Sequence, residues 1–116
     1  VDLVRTNPAL KNQRWSLISL ETAHSSILPD VISRAPELAP VYLKPNETLK
    51  LHIFIDKSII EIFVNDKQVV TTRVYPGKKE SVGISLKSQG RDATLISMDV
   101  WQMKSIYKEL QNDFIK

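Results

Sequence analysis

LKLHIFIDKSIIEIFVNDKQVVTTRVY, residues 49–75, is the stretch whose reading decides the fold of this chain. Leu49, Leu51, Ile53 and Ile55 alternate with Lys50, His52 and Phe54, so one side of an extended strand is wholly apolar. Asp56-Lys57 supplies a two-residue turn without the glycine such turns favour, which leaves the turn type open. That turn predicts Ile55 opposite Ser58, Ile53 opposite Ile60, Leu51 opposite Ile62 and Leu49 opposite Val64. Asn65-Asp66-Lys67 makes the next reversal, after which Val70, Thr72 and Val74 continue the same face. Slipping the pairing by one residue would turn Ile60, Ile62 and Val64 into water, so burial selects the register.

The other face of this three-stranded meander collects His52, Glu61, Thr71 and Arg73, with Phe54, Ile59, Phe63, Val69 and Tyr75 around them. The turn assignment predicts His52 directly across from Glu61 and Arg73 diagonal to it, within roughly 5–8 Å. Two readings apply: a half-solvated face with paired charges, each exposed pair worth about 0–1 kcal/mol, or a face that docks on another domain or a polar ligand. His52, Asp56, Ser58, Glu61, Arg73 and Tyr75 are the candidate contact residues.

Catalysis on this face is not expected. Glycoside cleavage needs two carboxyls about 5–10 Å apart across the scissile bond. Asp56 in the turn and Glu61 up the strand are expected about 10–16 Å apart at roughly 3.3 Å per residue. The chain has no cysteine, and its two histidines, His24 and His52, are distant in sequence, so neither a metal nor another cofactor is expected. With three glycines, it shows no nucleophile elbow or phosphate loop.

At 116 residues the chain is expected to be one domain with a core that needs no disulfide. Absence of cysteine does not fix the compartment. No apolar run reaches the length of a membrane span. A net charge of +3, without basic residues interleaved with aromatics, argues against nucleic acid as a partner. Residues 1–13 carry no apolar signal region, so the chain is expected to be intracellular, already processed, or cut from something larger.

Elsewhere, residues 14–21 read as a short strand with Trp15 and Leu17 on one side and Ile18 and Leu20 on the other. Pro29, Pro36, Pro40 and Pro45 then call for loops and edge strands, with short strands expected around Ser26–Ile32 and Val41–Leu43. Asn46-Glu47, Tyr75-Pro76-Gly77-Lys78 and Gly90-Arg91-Asp92 read as turns. Ser81–Lys87 and Ala93–Met103 are expected to be strands, the second buried on both sides, with the tryptophans in the core. The tail, 104–116, spaces Ile106, Tyr107, Leu110 and Phe114 for a short helix that packs or frays. The expected fold is therefore all-β, an antiparallel two-sheet β-sandwich of jelly-roll or lectin-like type.

A family resemblance rests on spaced residues in this region. Phe54, Asp56, Ser58, Glu61, Phe63 and Asn65 form an F-x-D-x-S-x-x-E-x-F-x-N pattern, followed by Arg73-Val74-Tyr75-Pro76 and later by Asp99-Val100-Trp101. This resembles the carboxy-terminal β-sandwich of glycoside hydrolase family 32, the invertases, levanases and inulinases. The resemblance covers residues 48–107. Arg5-Thr6-Asn7-Pro8 and Leu38–Pro45 resemble a compact version of the early strands.

That resemblance implies a division of labour. Chemistry in the family belongs to an amino-terminal five-bladed β-propeller with N-D-P-N-G, R-D-P and E-C motifs, and none of these occurs in this chain. It implies an inert module of a retaining β-fructosidase, with residues 1–13 as the linker from the missing catalytic domain, the propeller as partner and a second subunit as a further one; it fits a secreted or periplasmic parent and leaves the localisation of this chain unknown. Two other readings stay open. One is a lectin-like sugar-binding module stacking carbohydrate on Tyr42, Tyr75, Trp15 or Trp101. The other is an unrelated β-sandwich interaction domain.

Overall fold

The structure, a computed structural model, describes residues 5, 6 and 15–105, and side chains from residue 16 onward. The chain divides into two compact units, Val1–Gly83 and Ile84–Lys116, each taken here by itself. All regular structure among the described residues is β. Strands β1 (Arg5–Thr6), β2 (Trp15–Leu20) and β3 (Glu37–Tyr42) form one antiparallel sheet in that order. Strands β4 (Leu51–Asp56), β5 (Ile59–Val64) and β6 (Gln68–Arg73) form a second. Two antiparallel sheets, with no helix among the described residues, are what an all-β sandwich requires, as the patterning predicts.

The second sheet is a regular grid. Its inner face carries three rows across β4, β5 and β6: Ile55–Ile60–Thr72, Ile53–Ile62–Val70 and Leu51–Val64–Gln68. Alternation along the first sheet turns Ser16, Ile18 and Leu20 of β2, and Ala39 and Val41 of β3, inward. Ile18, Leu20, Ala39, Val41, Ile62, Val64 and Val70 make one continuous buried cluster, flanked by Leu43, Leu51 and Ile60. Ile62 keeps only 2 % of its surface exposed. The single buried polar side chain in this core is Ser16, and no buried side-chain polar atom among the described residues lacks a partner.

The meander forms, but its first turn sits one residue later than predicted. Asp56 pairs with Ile59, so Lys57-Ser58 is the turn, and Ile53 faces Ile62 rather than Ile60. Lys57 takes a positive φ of 51° and Ser58 does not, the sign pattern of a type II′ turn. Moving the turn by one residue shifts each cross-strand partner by two, so every side chain keeps its predicted face. The apolar pattern could not tell these registers apart, because both bury the same side of the sheet.

The β2–β3 pairing runs from Trp15–Tyr42 to Leu20–Glu37 and places Pro40 opposite Leu17. Only Val41–Leu43 was expected as strand; β3 starts earlier because it lies at the end of its sheet order, where proline is tolerated. Ser26–Ile32, expected to be extended, instead turns, with the Val31 amide donating to the Leu28 carbonyl (3.3 Å). The turn expected near Asn46-Glu47 is present, with Asn46 at φ 62° and the Glu47 amide donating to the Lys44 carbonyl (3.0 Å). Gly77 lies close under Ile27: a Cβ there would stand 2.6 Å from Ile27 Cγ1, so a larger residue would have to displace that exposed side chain.

Two expectations fail. Ser81–Lys87 and Ala93–Met103 form no strand, and Trp101 is 72 % exposed. Period-two alternation is compatible with a strand but does not make one; a strand exists through hydrogen bonds to a neighbour, and no neighbour pairs with either segment among the described residues. Gly90, at φ 87°, does turn the chain as predicted, and the Ser88 hydroxyl donates to the Arg91 carbonyl there. The tail helix expected within 104–116 lies outside the described residues beyond Ser105, as does most of the expected 1–13 linker.

The first sheet meets the second mainly through β6. Ile53 therefore faces inward yet remains 43 % exposed, contrary to the core position its pattern suggests. Ile62→Ala should lower unfolding free energy by about 2–5 kcal/mol, as a buried aliphatic truncation does. Ile53→Ala should lower it by under about 1 kcal/mol, because much of that side chain is already in water. Urea unfolding of the two variants separates these outcomes.

Candidate functional site

The outer face of the second sheet is the mirror of its core grid. Its rows across β4, β5 and β6 are Asp56–Ile59–Arg73, Phe54–Glu61–Thr71 and His52–Phe63–Val69. A sheet with one solvated face normally turns polar residues outward. Here four of nine positions are apolar. Phe54, Ile59 and Val69 are exposed by 37 %, 39 % and 45 %. Phe54 lies edge-on to Phe63 with ring centroids 5.9 Å apart, and His52 sits 4.5 Å from Phe54. Glu61, at the centre, accepts a hydrogen bond from the Thr71 hydroxyl (3.3 Å).

The structure thus brings His52, Glu61 and Arg73 onto one face, as the alternation predicts, and adds Asp56, but with different neighbours. His52 is opposite Phe63, not Glu61. The two-residue shift of the turn accounts for this. It also moves Asp56 out of the turn and onto the outer face, diagonal to Glu61, at about 7–8 Å between backbones rather than the larger separation expected. The pair still lies on the sheet surface, away from the cleft that Tyr75 lines and from the one between residues 24–27 and 77–81. Ser58 stands apart in the turn, where its carbonyl accepts from the Val74 amide (2.8 Å).

Tyr75 goes elsewhere. It lines a shallow cleft of about 290 Å³ with Asp30, Val31, Ile32 and Arg34. Asp30 and Arg34 were missed by sequence reasoning, since nothing in a proline-spaced loop forecasts which strand end it will meet. Among the described residues no group of His, Asp and Glu is placed to hold a metal ion.

Asn65 does structural work. At φ 49° it opens the β5–β6 turn, and Asp66 follows at φ 53°. Its side-chain oxygen accepts from the Lys50 amide (2.7 Å), its side-chain nitrogen donates to the Thr48 carbonyl (2.8 Å), and its own amide donates to the Lys50 carbonyl (2.9 Å). Beside it, Lys67 donates to both Glu47 oxygens (2.8 and 3.0 Å) and to the Tyr42 carbonyl (3.3 Å). Gln68 donates to the Pro40 carbonyl (2.9 Å). These side chains tie the turn of the second sheet to the end strand of the first.

With this geometry in place, comparison with known proteins decides the family. Residues 12–102 match the model of the glycosyl hydrolases family 32 C terminal. The chain belongs to that family. It is 38 % identical over 64 residues to the raffinose invertase of Escherichia coli, a match covering 54 % of this chain and 13 % of that enzyme. It is 37 % identical over 73 residues to the levanase of Bacillus subtilis, covering 61 % of this chain and 10 % of the levanase. Against the vacuolar acid beta-fructofuranosidase 2 of a rose hybrid it is 33 % identical over 91 residues, 75 % of this chain and 14 % of the relative. The chain therefore spans well under a fifth of the curated relatives it matches. No solved structure matches it.

Within this family 32 C-terminal module, the six motif residues separate by task. Phe54, Asp56, Glu61 and Phe63 lie on the outer face, Ser58 in the first turn and Asn65 in the corner clamp. Glu47, Lys67 and Gln68, which complete the clamp, carried no signal in the sequence because the residues they join are 20 or more positions apart.

Two predictions follow from the clamp's chemistry. Replacing Asn65 with Ala removes two side-chain hydrogen bonds, each worth about 0.5–1.5 kcal/mol, and should lower stability by about 1–3 kcal/mol. The hydrogen bonds from the Lys67 ammonium and then the Lys44 amide hold the Glu47 carboxyl below its usual 4.5. A carboxyl lowered by folding stabilises the native state above its unfolded value, and that contribution fades as pH falls through the lowered one. The difference in urea midpoint between the natural chain and Glu47→Gln should therefore be largest near neutrality, shrink as pH falls below 4.5, and level off only below the lowered value.

Proposed function

We propose that this chain is the non-catalytic accessory module of a larger family 32 enzyme, one that hydrolyses β-fructosyl bonds and whose chemistry resides in an amino-terminal propeller. The observation that carries this reading is the match over residues 12–102 to a family defined as a carboxy-terminal piece, in relatives of which the match covers only 10–14 %. The names of these relatives, invertase, levanase and beta-fructofuranosidase, support the substrate class. The module's part is to stabilise the propeller, and His52, Asp56, Glu61 and Arg73 are its contact residues.

The site chemistry supports the same division. Asp56 and Glu61 stand side by side on an exposed sheet, where no wall holds a sugar between them. The water-excluded, preorganised surroundings that give an acid/base pair its power are missing from that surface.

The expected outcome is direct. Incubated with sucrose, inulin or levan, the 116-residue chain releases no fructose above buffer, while its parent polypeptide does. Turnover by the short chain would overturn the proposal, as would a parent that leaves all three sugars intact.

One feature favours a second reading. Tyr75 in its cleft, with Asp30 and Arg34 beside it, combines an aromatic ring with hydroxyl-binding groups, the composition of a monosaccharide site. Calorimetry of the chain with millimolar fructose, sucrose or inulin tests it. Heat that disappears in Tyr75→Ala would establish sugar binding; no heat would leave the module as a packing element alone.

A further inference from the structure

Away from the sheet faces, two turns of the first unit meet and enclose a cleft of about 200 Å³. One follows β2, where the Ser25 amide and hydroxyl both donate to the Thr22 carbonyl (3.0 and 2.8 Å). The Ser26 hydroxyl oxygen then accepts from the Leu28 amide (3.1 Å), which fixes the next residues of that loop. The other turn follows β6 and is closed by the Ser81 amide donating to the Lys78 carbonyl (3.2 Å). Gly77 lies between them without a side chain, so its backbone approaches Ile27 and Leu28; a Cβ there would stand 2.6 and 3.3 Å from them. That close approach sets His24 and Ser26 of the first turn against Lys78 and Ser81 of the second.

The lining of this cleft is rich in donors. Lys78 brings an ammonium with three N–H groups, His24 an imidazole N–H, and Ser26 and Ser81 their hydroxyl hydrogens. The bond to Leu28 uses a lone pair of the Ser26 oxygen and leaves its O–H to donate elsewhere. No carboxylate lines the cleft. Glu80 lies in the second turn yet is not part of the wall, and Glu21, beside the first, is folded back onto the Ala23 amide (2.9 Å). Among the described residues Lys78 and His24 form no ion pair. A concave wall that gathers a cation and several donors, with no acid to neutralise them, suits an anion with several acceptor oxygens. A phosphate group carries about −1.5 to −2 charge near neutrality and three such oxygens. The volume is below the roughly 300–1,000 Å³ of sites for drug-sized ligands, so the cleft matches a small group and not a long chain.

We propose that the cleft between residues 24–27 and 77–81 is an oxyanion site that takes a phosphate group, free or as the monoester of a small hydroxylated molecule. Lys78 supplies the charge, and His24, Ser26 and Ser81 supply directed hydrogen bonds. Gly77 supplies the close approach that brings the two turns together. The site shares no lining residue with the Tyr75 cleft, and all its groups belong to the one unit, Val1–Gly83. It goes beyond the accessory-module reading and stands or falls independently of it.

The test titrates the 116-residue chain with sodium phosphate at constant ionic strength and follows backbone amide shifts by NMR. Amides of residues 24–26 and 77–81 should move together and saturate with a Kd of about 0.1–10 mM, as expected where one exposed ammonium and a few hydrogen bonds act together. Lys78→Gln should raise that Kd at least about tenfold. Lys79→Gln, one residue along and outside the cleft, should change it by less than about twofold, because a charge in open solvent is screened. Equal weakening by both variants would mean that phosphate answers only to the net charge of +3, and would overturn the site. Shifts that rise without saturating, or that scatter over lysines elsewhere in the chain, would overturn it as well. Should Lys78→Gln disturb the free spectrum, His24→Gln takes its place with the same expected direction. Glucose 6-phosphate as a second ligand separates the sources: a lower Kd than that of inorganic phosphate assigns the monoester, and an equal or higher one assigns the free anion. Glucose itself should shift none of these amides.

Discussion

Burial of Ile62, Val64 and Val70 against Ile18, Leu20, Ala39 and Val41 is the constraint on which this molecule depends. Side chains alternate along a strand, so burying these residues also determines what stands on the reverse of the sheet. The outer grid of His52, Phe54, Glu61, Phe63, Thr71 and Arg73 is a consequence of the core. None of its members can turn inward without carrying an aliphatic neighbour into water. The core thus acts as the template for the surface on which the proposed function rests.

The second constraint is the corner where the sheets meet. Antiparallel sheets can slide or splay unless side chains join them. Here Asn65 takes a left-handed conformation that lets one amide side chain serve both the incoming Thr48–Lys50 segment and the turn. Lys67 and Gln68 reach the Tyr42 and Pro40 carbonyls, which an end strand otherwise presents to solvent. The Glu47–Lys67 ion pair adds to this in a partly exposed setting, where Coulomb attraction alone is worth little. Its value lies in being one of several bonds that converge on a single lysine.

An outer face with two phenylalanines and three charged groups is the surface to which the proposed function assigns contact within a larger protein. The family assignment makes the larger protein the natural context. It also accounts for a motif whose residues do unlike things. Asn65 and Ser58 belong to turns, whereas Phe54, Glu61 and Phe63 belong to the face. A spaced pattern in a strand pair records both, because turn and face are set by the same register.

Local patterning determined a good deal: the three strands of the meander, the side each residue faces, the turns at Asn46 and Gly90, and the candidate face itself. These follow from period-two alternation and from residues that accept positive φ, which are short-range properties. It also proposed strands at Ser81–Lys87 and Ala93–Met103 that do not form, since alternation does not provide a hydrogen-bonding neighbour. Only the tertiary structure decided that Ile53 stays half in water, that Asp56 lies diagonal to Glu61, and that Tyr75 meets Asp30 and Arg34. Each depends on where a distant sheet or loop comes to rest, or on a two-residue choice of register that leaves the buried face the same. Short-range sequence carries no energy term that distinguishes those alternatives.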